Sequence, residues 1–381
     1  MNNLNGLIPT IYESLDTVSR ELVGAIPAST LDMSAKTAKD QPIVFPVVPE
    51  ATATDVVPGQ LPPTSYTGEK IGHRTLSIKK ERSAWMLWNG NEVLSLGEMR
   101  SPIVRNQITQ RIRTIVNEAE KDLCAVGVSE ALSVGNYSGT VGTAPFATDL
   151  KPLTEILKKM EDNGTPTGDL QAVLNTEAGM NLRNLKQLQS VADAGERSLL
   201  RQGILGSLMG FNIRESGGLR PHEKGTGTGF TVNASAGLKA GTTEIVVDGG
   251  ATGGLKAGDI IGFTGYNSRY VVAEDVELSA TLIKIATPLT EDIADDTALI
   301  YAGNYNPSIL FDRGALMLAT RSLAVPTGGD SARDVQVVTD PVSGLSLTVS
   351  LYKEYKQERV EIGMAWGAGA IKPSDIYCLL G

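Results

Sequence analysis

The strongest helical alternation of apolar and polar positions begins at Ser101-Pro102. From there apolar residues recur at spacings of four, three, four and four, which places them on one helix face: Ile108, Ile112, Ile115, Ala119 and Leu123. Serine is a good N-cap and proline is favoured at the first helical position, so the pair marks a helix start. The pattern therefore predicts one long amphipathic helix of about 23 residues, roughly 35 Å in length.

Shorter patterns lie on either side of this helix. We predict helices over about residues 9–23, from about Thr148 to Asn163-Gly164, after Thr176, and over Ala315–Ala319, with a buried strand over Leu170–Leu174. Asn-Gly with a proline beyond it is a typical helix stop, and Pro326 is expected to end the last of these helices. The mixture predicts a fold of the α+β class.

Two segments near the end of the chain alternate strictly between apolar and polar positions. The apolar positions are Leu345, Leu347, Val349 and Leu351 in the first, and Val360, Ile362, Met364 and Trp366 in the second. A strand with this period can bury one face, so the segments predict an antiparallel pair.

Residues 41–88 show a different pattern. Six prolines lie between Pro42 and Pro63, and because proline removes a backbone donor, this stretch can be neither a helix nor a central strand. Ile43–Val48 and Arg74–Leu87 are β-rich and can form the two sides of a long hairpin. Such a hairpin extends beyond any core that it could build alone, so it needs another surface to lie on. A disordered loop is the alternative.

Glycine becomes frequent from residue 217 to residue 254, and short strand patterns follow closely on one another. They are Glu244–Val247, Asp259–Phe263, Arg269–Val272, Thr281–Ile285 and Ala298–Tyr301. Strands at this spacing predict a small all-β barrel or sandwich over 223–303, inserted into the α+β part. Gly-Leu-Lys-Ala-Gly occurs twice, at 237–241 and 254–258, which predicts two similar turns.

Composition narrows the possible functions. The chain has 381 residues, a formal net charge of −9, two cysteines and two histidines. Its length suits two or three linked domains, and its charge argues against tight DNA binding, although not against enclosing DNA. The apolar runs are too short for a membrane span and no signal-peptide pattern opens the chain, so we expect reduced thiols in a cytoplasmic compartment.

Candidate chemistry is sparse. There is no Gly-x-Ser-x-Gly elbow, and the two possible bases, His73 and His222, are expected at the surface. Gly225–Gly229 is glycine-rich but lacks the Lys-Ser/Thr ending of a phosphate-binding loop, so we expect a flexible linker there. We therefore predict no catalytic, cofactor-binding or metal-binding residues, and no cofactor.

Two charged groups are candidates for contacts between subunits. The basic group consists of Lys70, Arg74, Lys79, Lys80 and Arg82, and the acidic group consists of Glu291, Asp292, Asp295 and Asp296. The acidic group lacks the spacing of an EF-hand calcium loop, and a solvated loop is the alternative to a contact. Exposed ion pairs contribute little energy, so such contacts would set register more than strength.

The order of these elements resembles the HK97-fold major capsid proteins of tailed bacteriophages, specifically the coat proteins of short-tailed phages with an inserted β-barrel. Three stretches are also similar to the family: Gly142–Phe146, Asp162–Pro166 and Gly203–Phe211. The resemblance covers nearly the whole chain. It implies an N-terminal arm (1–40), an extended hairpin loop (41–88), a peripheral domain with a spine helix (89–147), an axial domain (148–222 and 304–340), the inserted β-barrel (223–303) and peripheral C-terminal strands (341–381).

The resemblance also implies a function. Pentamers and hexamers of the subunit would form an icosahedral shell, the virion capsid, assembled in the host cytoplasm around double-stranded DNA. The family's other partners are a scaffolding protein and a portal protein, without a membrane. The helical extension that a protease removes in some relatives is not found, so we expect a separate scaffolding protein and no maturation cleavage. An encapsulin-like compartment with protein cargo is the main alternative; a secreted adhesin or tail component, and an enzyme, are weaker ones.

Overall fold

The structure is a computed structural model, which describes residues 23–32, 40, 42–48, 58–59, 71–96, 100–185, 188, 206–248, 250–324, 329–339 and 344–381. The helices are α1 (Ala25–Ala28), α2 (Gly90–Leu96), α3 (Arg100–Ser133), α4 (Lys151–Asp162) and α5 (Thr176–Asn184). The strands are β1 (Thr30–Asp32), β2 (Pro42–Val47), β3 (Gly72–Ser77), β4 (Lys80–Asn89), β5 (Tyr137–Ser138), β6 (Leu170–Leu174), β7 (Ser207–Leu208), β8 (Phe211–Glu215), β9 (Thr231–Val232), β10 (Glu244–Asp248), β11 (Ile260–Phe263), β12 (Arg269–Val271), β13 (Leu282–Lys284), β14 (Leu299–Tyr301), β15 (Ser308–Asp312), β16 (Leu316–Arg321), β17 (Ala332–Thr339), β18 (Ser346–Glu354), β19 (Gln357–Ala370) and β20 (Ile376–Leu379).

Helix α3 confirms the predicted long helix and extends it to 34 residues. The five apolar positions that define its pattern, from Ile108 to Leu123, are all buried. The helix continues past the predicted end because its apolar face continues through Ala131 and Leu132, which are buried as well. Gly127 lies against Ile309, where a larger side chain would be crowded.

The large sheet lies against α3. Its strand order is β1–β16–β19–β18–β17, and β4 also pairs with β19, from Lys80 opposite Trp366 to Asn89 opposite Gln357. The predicted antiparallel pair is confirmed as β18 and β19, with Val349 opposite Ile362. The alternating apolar residues of both strands are buried, so one face of this pair forms part of the main core.

A second sheet has the order β5–β20–β15–β6–β8–β7. Its strand β6 has the predicted bounds, and all five of its residues are buried. Helices α4 and α5 are close to their predicted positions. Leu153, Ile156 and Met160 of α4 pack with Leu182 of α5 in a separate hydrophobic cluster that includes residues of this sheet. Within the described part of the chain no helix is both long and apolar enough to span a membrane.

Strands β9 to β14 lie in the predicted β region, called here the module (residues 223–303). They form two antiparallel three-stranded sheets, β13–β10–β9 and β12–β11–β14. Most buried apolar residues of the module form a separate hydrophobic cluster, which includes Phe230, Ile245, Phe263 and Ile283. Ile260 and Val271 instead belong to the main core. The five predicted strands all occur, each within one residue of its predicted bounds.

The two Gly-Leu-Lys-Ala-Gly segments of the module are confirmed as similar turns. In the first, the backbone N–H of Ala240 donates to Asp292, and in the second, that of Ala257 donates to Asp275, both at 2.8 Å. The last glycine of each turn has a positive φ, 89° in one and 92° in the other. A residue with a Cβ is strained in that conformation, which accounts for glycine at the end of both segments.

The predicted short helix over Ala315–Ala319 is wrong. Residues Arg313–Ala315 form a single 3-10 turn, and strand β16 follows it. The first five residues of β16 are all buried, so apolar residues point to both faces of the strand. A short continuous apolar run of this kind cannot be distinguished from a helix by periodicity alone.

Part of the expected N-terminal arm belongs to the core of its own chain. Ala25, Ile26 and Ala28 of α1 are fully buried, and β1 pairs in parallel with β16. Residues 9–22 of the predicted N-terminal helix lie outside the described residues. The predicted boundary at residue 340 does not separate the two sheets, because β16 and β17 join the large sheet, whereas β20 joins the second sheet.

Candidate assembly surface

The predicted hairpin is present as the antiparallel pair β2 and β3, called here the hairpin. Six residue pairs join the strands, from Pro42 opposite Ser77 to Val47 opposite Gly72. Both prolines of β2 are tolerated because this two-stranded sheet leaves each strand an outer edge without a partner strand among the described residues. The predicted second side, Arg74–Leu87, is two strands instead of one: β3 stays in the hairpin and β4 enters the large sheet.

The root of the hairpin packs on the large sheet. Leu76 and Ile78 are buried against Met317, Ala319 and Ala365. Two glycines of β19, at positions 367 and 369, allow this approach, because a Cβ at the first would overlap the backbone of residue 77 and one at the second would overlap the Leu76 side chain. The root is therefore fixed to its own subunit.

One face of β2 is half-buried, with Ile43 and Phe45 packed against the root, whereas its other face and the residues just beyond the two strands are exposed. Val44 is 55% exposed, Val48 is 78% exposed and Ile71 is 67% exposed. A two-stranded hairpin is marginally stable by itself in water. Apolar side chains at such exposure, on an element with so little burial of its own, are typical of a surface that another molecule covers.

The basic group predicted for subunit contacts is divided by the structure. Arg74 and Lys79 are exposed on and after the hairpin, and Lys70 lies outside the described residues. Lys80 and Arg82 of β4 instead contact helix α3 of their own chain, as described next.

Lys80 Nζ lies 2.8 Å from Asp122 and 3.6 Å from Glu118, and Arg82 Nε lies 3.2 Å from Glu118. The hydrogen bond to Asp122 raises the pKa of Lys80 above its usual value. Asp122 also accepts a hydrogen bond from the indole of Trp366 at 2.8 Å. This network joins β4, α3 and β19 within one subunit, so Lys80 and Arg82 stabilise the subunit itself.

The acidic group is also engaged within its own chain. Ser268 donates to Glu291 at 2.6 Å, the backbone N–H of Ala234 donates to Asp295 at 2.6 Å, and Lys239 lies 2.8 Å from Asp292. The hydrogen bond from Lys239, together with that from a backbone N–H, lowers the pKa of Asp292. Asp296 has a φ of 56° in the same loop. The carboxylates of Glu291, Asp292 and Asp295 therefore hold loops of the module together.

Glu120 of α3, which was not among the predicted site residues, is a buried carboxylate that is 1% exposed. It accepts hydrogen bonds from the backbone N–H groups of Gly24, Ala25 and Ile26 at 2.7–3.0 Å, and from the hydroxyl of Ser216 at 2.6 Å. Burial raises the pKa of Glu120, and these hydrogen bonds oppose that effect. The sequence feature that could have indicated this role is that Glu120 is a charged residue directly after Ala119, which lies on the buried face of the helix.

The junction between the module and the second sheet contains His222, which the sequence analysis placed at the surface. His222 Nε2 lies 2.8 Å from Asp259, and its ring stacks on Tyr305 with 4.8 Å between centroids. Burial acts to raise the pKa of Asp259, but hydrogen bonds from His222 and from two backbone N–H groups outweigh it, so this pKa is lowered. The Tyr305 hydroxyl donates to the Gly258 carbonyl at 3.0 Å. These contacts close the neck of the module, where the chain enters and leaves it.

Comparison with known proteins gives matches among solved structures alone. No family model and no curated protein matches the chain. A chain of the bacteriophage PhiM1 mature capsid aligns with 94% of this chain and 86% of its own length, at 12% identity and a TM-score of 0.50. This likeness shows the fold: the chain has a phage capsid fold of mixed helices and strands, as expected for an HK97-type protein.

Two other solved structures align less closely. The capsid of cyanophage P-SCSP1u covers 92% of this chain and 86% of its own, at 14% identity and a TM-score of 0.46. The alignment with a chain of a virus-like particle from Pyrococcus furiosus covers 97% of this chain and 98% of that chain, at 9% identity and a TM-score of 0.43. Of these three alignments, the one with the PhiM1 chain has the highest TM-score, and the fold assignment rests on it.

Proposed function

We propose that this chain is the major capsid protein of a tailed bacteriophage, which self-assembles as pentamers and hexamers into an icosahedral shell. The fold shared with a chain of the PhiM1 mature capsid supports this function. The observation that carries it is the hairpin, whose apolar residues Val44, Val48 and Ile71 are exposed beyond a root that is fixed to the large sheet. In a shell these side chains would be covered by a neighbouring subunit.

We also propose that the chain belongs to the short-tailed-phage type of coat protein and that the module is its inserted β-barrel. Strand β8 precedes the module and strand β15 follows it, yet both pair with β6 in the second sheet. A segment that interrupts one sheet and buries its own hydrophobic cluster has the features of an insertion. The hairpin would be the extended loop of the family, and α3 its spine helix.

The proposed shell has no catalytic role and encloses double-stranded DNA, with a scaffolding protein and a portal protein as its other partners. A net charge of −9 suits a container, since a protein that grips each phosphate carries a basic face. Assembly would take place in the host cytoplasm, and the mature location would be the virion.

The full-length chain tests this function directly. We expect the purified protein to form closed particles, visible by electron microscopy. Val44→Lys should prevent their formation, because it places a charge in a surface that must be desolvated, while Val44→Thr keeps the shape and should permit assembly. Circular dichroism should show that both variants fold, since Val44 is exposed in the subunit.

The contents of particles purified from infected cells separate the two shell hypotheses. Double-stranded DNA supports the capsid function, and a protein cargo without DNA supports the encapsulin-like alternative. A chain that stays monomeric under all conditions, alone and with its phage partners, would contradict both.

A further inference from the structure

Strand β17 is the last strand of the large sheet. Among the described strands it pairs with β18 alone, so the backbone groups along its other edge have no strand partner there. A bulge at Arg333 interrupts the pairing with β18, so the regular part of the strand is Asp334–Thr339. This part has six residues, enough for a further strand to pair with it.

Over Val335–Thr339 the side chains leave this edge unprotected. Val335 is 36% exposed and Val337 is 54% exposed, on the face opposite to the buried Val338. Soluble proteins usually protect an edge strand with lysine, proline or inward-pointing charge, because an unprotected edge pairs with other chains. Asp334 is a charged residue on the same face as the buried Val338, and the bulge lies just before it, so both protective features are at the start of the strand. Val335–Thr339 contains no charged residue and no proline.

The sequence of the strand permits antiparallel pairing with a second copy of itself. When two copies pair around a two-fold axis through Gln336, the exposed Val335 of each lies opposite the exposed Val337 of the other. Asp334 then lies opposite Val338, so no like charges meet. An axis through Asp334 would place two carboxylates directly opposite each other, which is destabilising.

We propose that β17 is an interface between two copies of this chain, in which the two β17 strands pair antiparallel around Gln336 and join two large sheets into one. This contact is isologous, since the same surface is used on both subunits. It rests on the proposed assembly function and adds to it a specific two-fold contact and register.

Cysteine cross-linking of assembled particles tests this register. In the proposed pairing, two copies of residue 336 have Cα atoms about 4.5–5.5 Å apart, within the span of a disulfide. Two copies of residue 334 are offset by four positions, or roughly 13 Å, which no disulfide spans. After oxidation, we expect Gln336→Cys particles to give at least about fivefold more covalent dimer than Asp334→Cys particles on a non-reducing gel.

The natural cysteines Cys124 and Cys378 are buried, so the unsubstituted chain provides the background. Adding Val337→Lys to Gln336→Cys should lower the dimer yield at least about threefold, because lysine then lies opposite Val335. Val337 is exposed, so the subunit should still fold, which circular dichroism would check.

Particles without a Gln336→Cys dimer, or with equal dimer at position 334, would overturn the β17 contact and leave the capsid function intact. If the unsubstituted chain forms no particles even with its phage partners, the proposed function fails and the contact fails with it.

Discussion

The module and the hairpin are both antiparallel β structures, and they differ in where they find their burial. In the module, sixteen buried residues form a cluster between two small sheets. In the hairpin, Leu76 is the one buried residue of its two strands. Strand β10 of the module alternates between exposed and buried, whereas β2 of the hairpin alternates between exposed and half-buried.

The difference shows that the same alternating pattern has two outcomes. In the module, residues of both small sheets complete one buried cluster inside the chain, whereas the two-stranded hairpin leaves one face of β2 exposed. The charged side chains differ in the same way. Glu291, Asp292 and Asp295 accept hydrogen bonds from groups of the module itself, whereas Arg74 on the hairpin is exposed.

The largest expected effect is in the core of the module. Phe263 is fully buried there, with its ring 6.0 Å from that of Tyr270. Phe263→Ala should lower the free energy of unfolding of the module by about 3–5 kcal/mol, because it removes a buried aromatic side chain and leaves a cavity. Chemical denaturation of the free subunit measures this loss.

Val44→Ala in the hairpin is the matched control. It should change the stability of the free subunit by less than about 0.5 kcal/mol, because Val44 is exposed there. Similar losses for the two variants would remove the contrast between a self-sufficient module and a hairpin that depends on a neighbour.

A smaller effect is expected where the N-terminal segment meets α3. Glu120→Ala leaves four buried donors without their acceptor, and we expect a loss of about 2–4 kcal/mol. Hydrogen exchange at Ala25 and Ile26 should become faster. These results would show that Glu120 holds the segment Gly24–Ile26 on its own subunit.

Glu118→Ala, two positions earlier on the same helix, is the control. Glu118 pairs with Lys80 and Arg82 at partly exposed positions, so its loss should cost about 1 kcal/mol or less. If Glu120→Ala were as mild as Glu118→Ala, the anchoring role of Glu120 would be wrong.

The smallest effect is expected at the root of the hairpin. Gly367→Ala introduces a Cβ that overlaps the backbone of Ser77, so the root must shift, at a cost of about 1–3 kcal/mol. Gly217→Ala, where the added Cβ meets no atom within 4 Å, should be nearly neutral. Comparing particle yield and denaturation for both variants tests whether the hairpin is positioned from its root. Equal yields would indicate that a neighbour alone positions it.

Much of the fold could be predicted because the pattern was periodic over long or well-bounded segments. Helix α3 has one apolar face, and β18 and the first half of β19 alternate between apolar and polar residues, so local sequence was sufficient. The module was predicted because each short strand is bounded by turn residues. The β16 segment failed because its first four residues are all apolar, which leaves no period to distinguish a strand from a helix.

The assembly surface was predicted less completely. Proline content identified the hairpin region, but not that β4 leaves it at Lys80 to join the large sheet. The charged residues were recognised as two groups, but their partners, such as Asp122 for Lys80 and Lys239 for Asp292, could not be predicted. The chain has many residues of the opposite charge, and local sequence does not show which of them lies nearby.

Sequence patterns predicted most local elements, their order and the difference between the module and the hairpin, because spacing and backbone preference act within a few residues. Which strands share a sheet, which charges are paired within the subunit and which donors reach Glu120 became clear only from the packed chain. Those outcomes depend on contacts between residues about a hundred or more positions apart, such as Ala25 with Glu120 and Lys80 with Trp366. No local pattern carries that information, since the position of each partner is set only when the chain is packed.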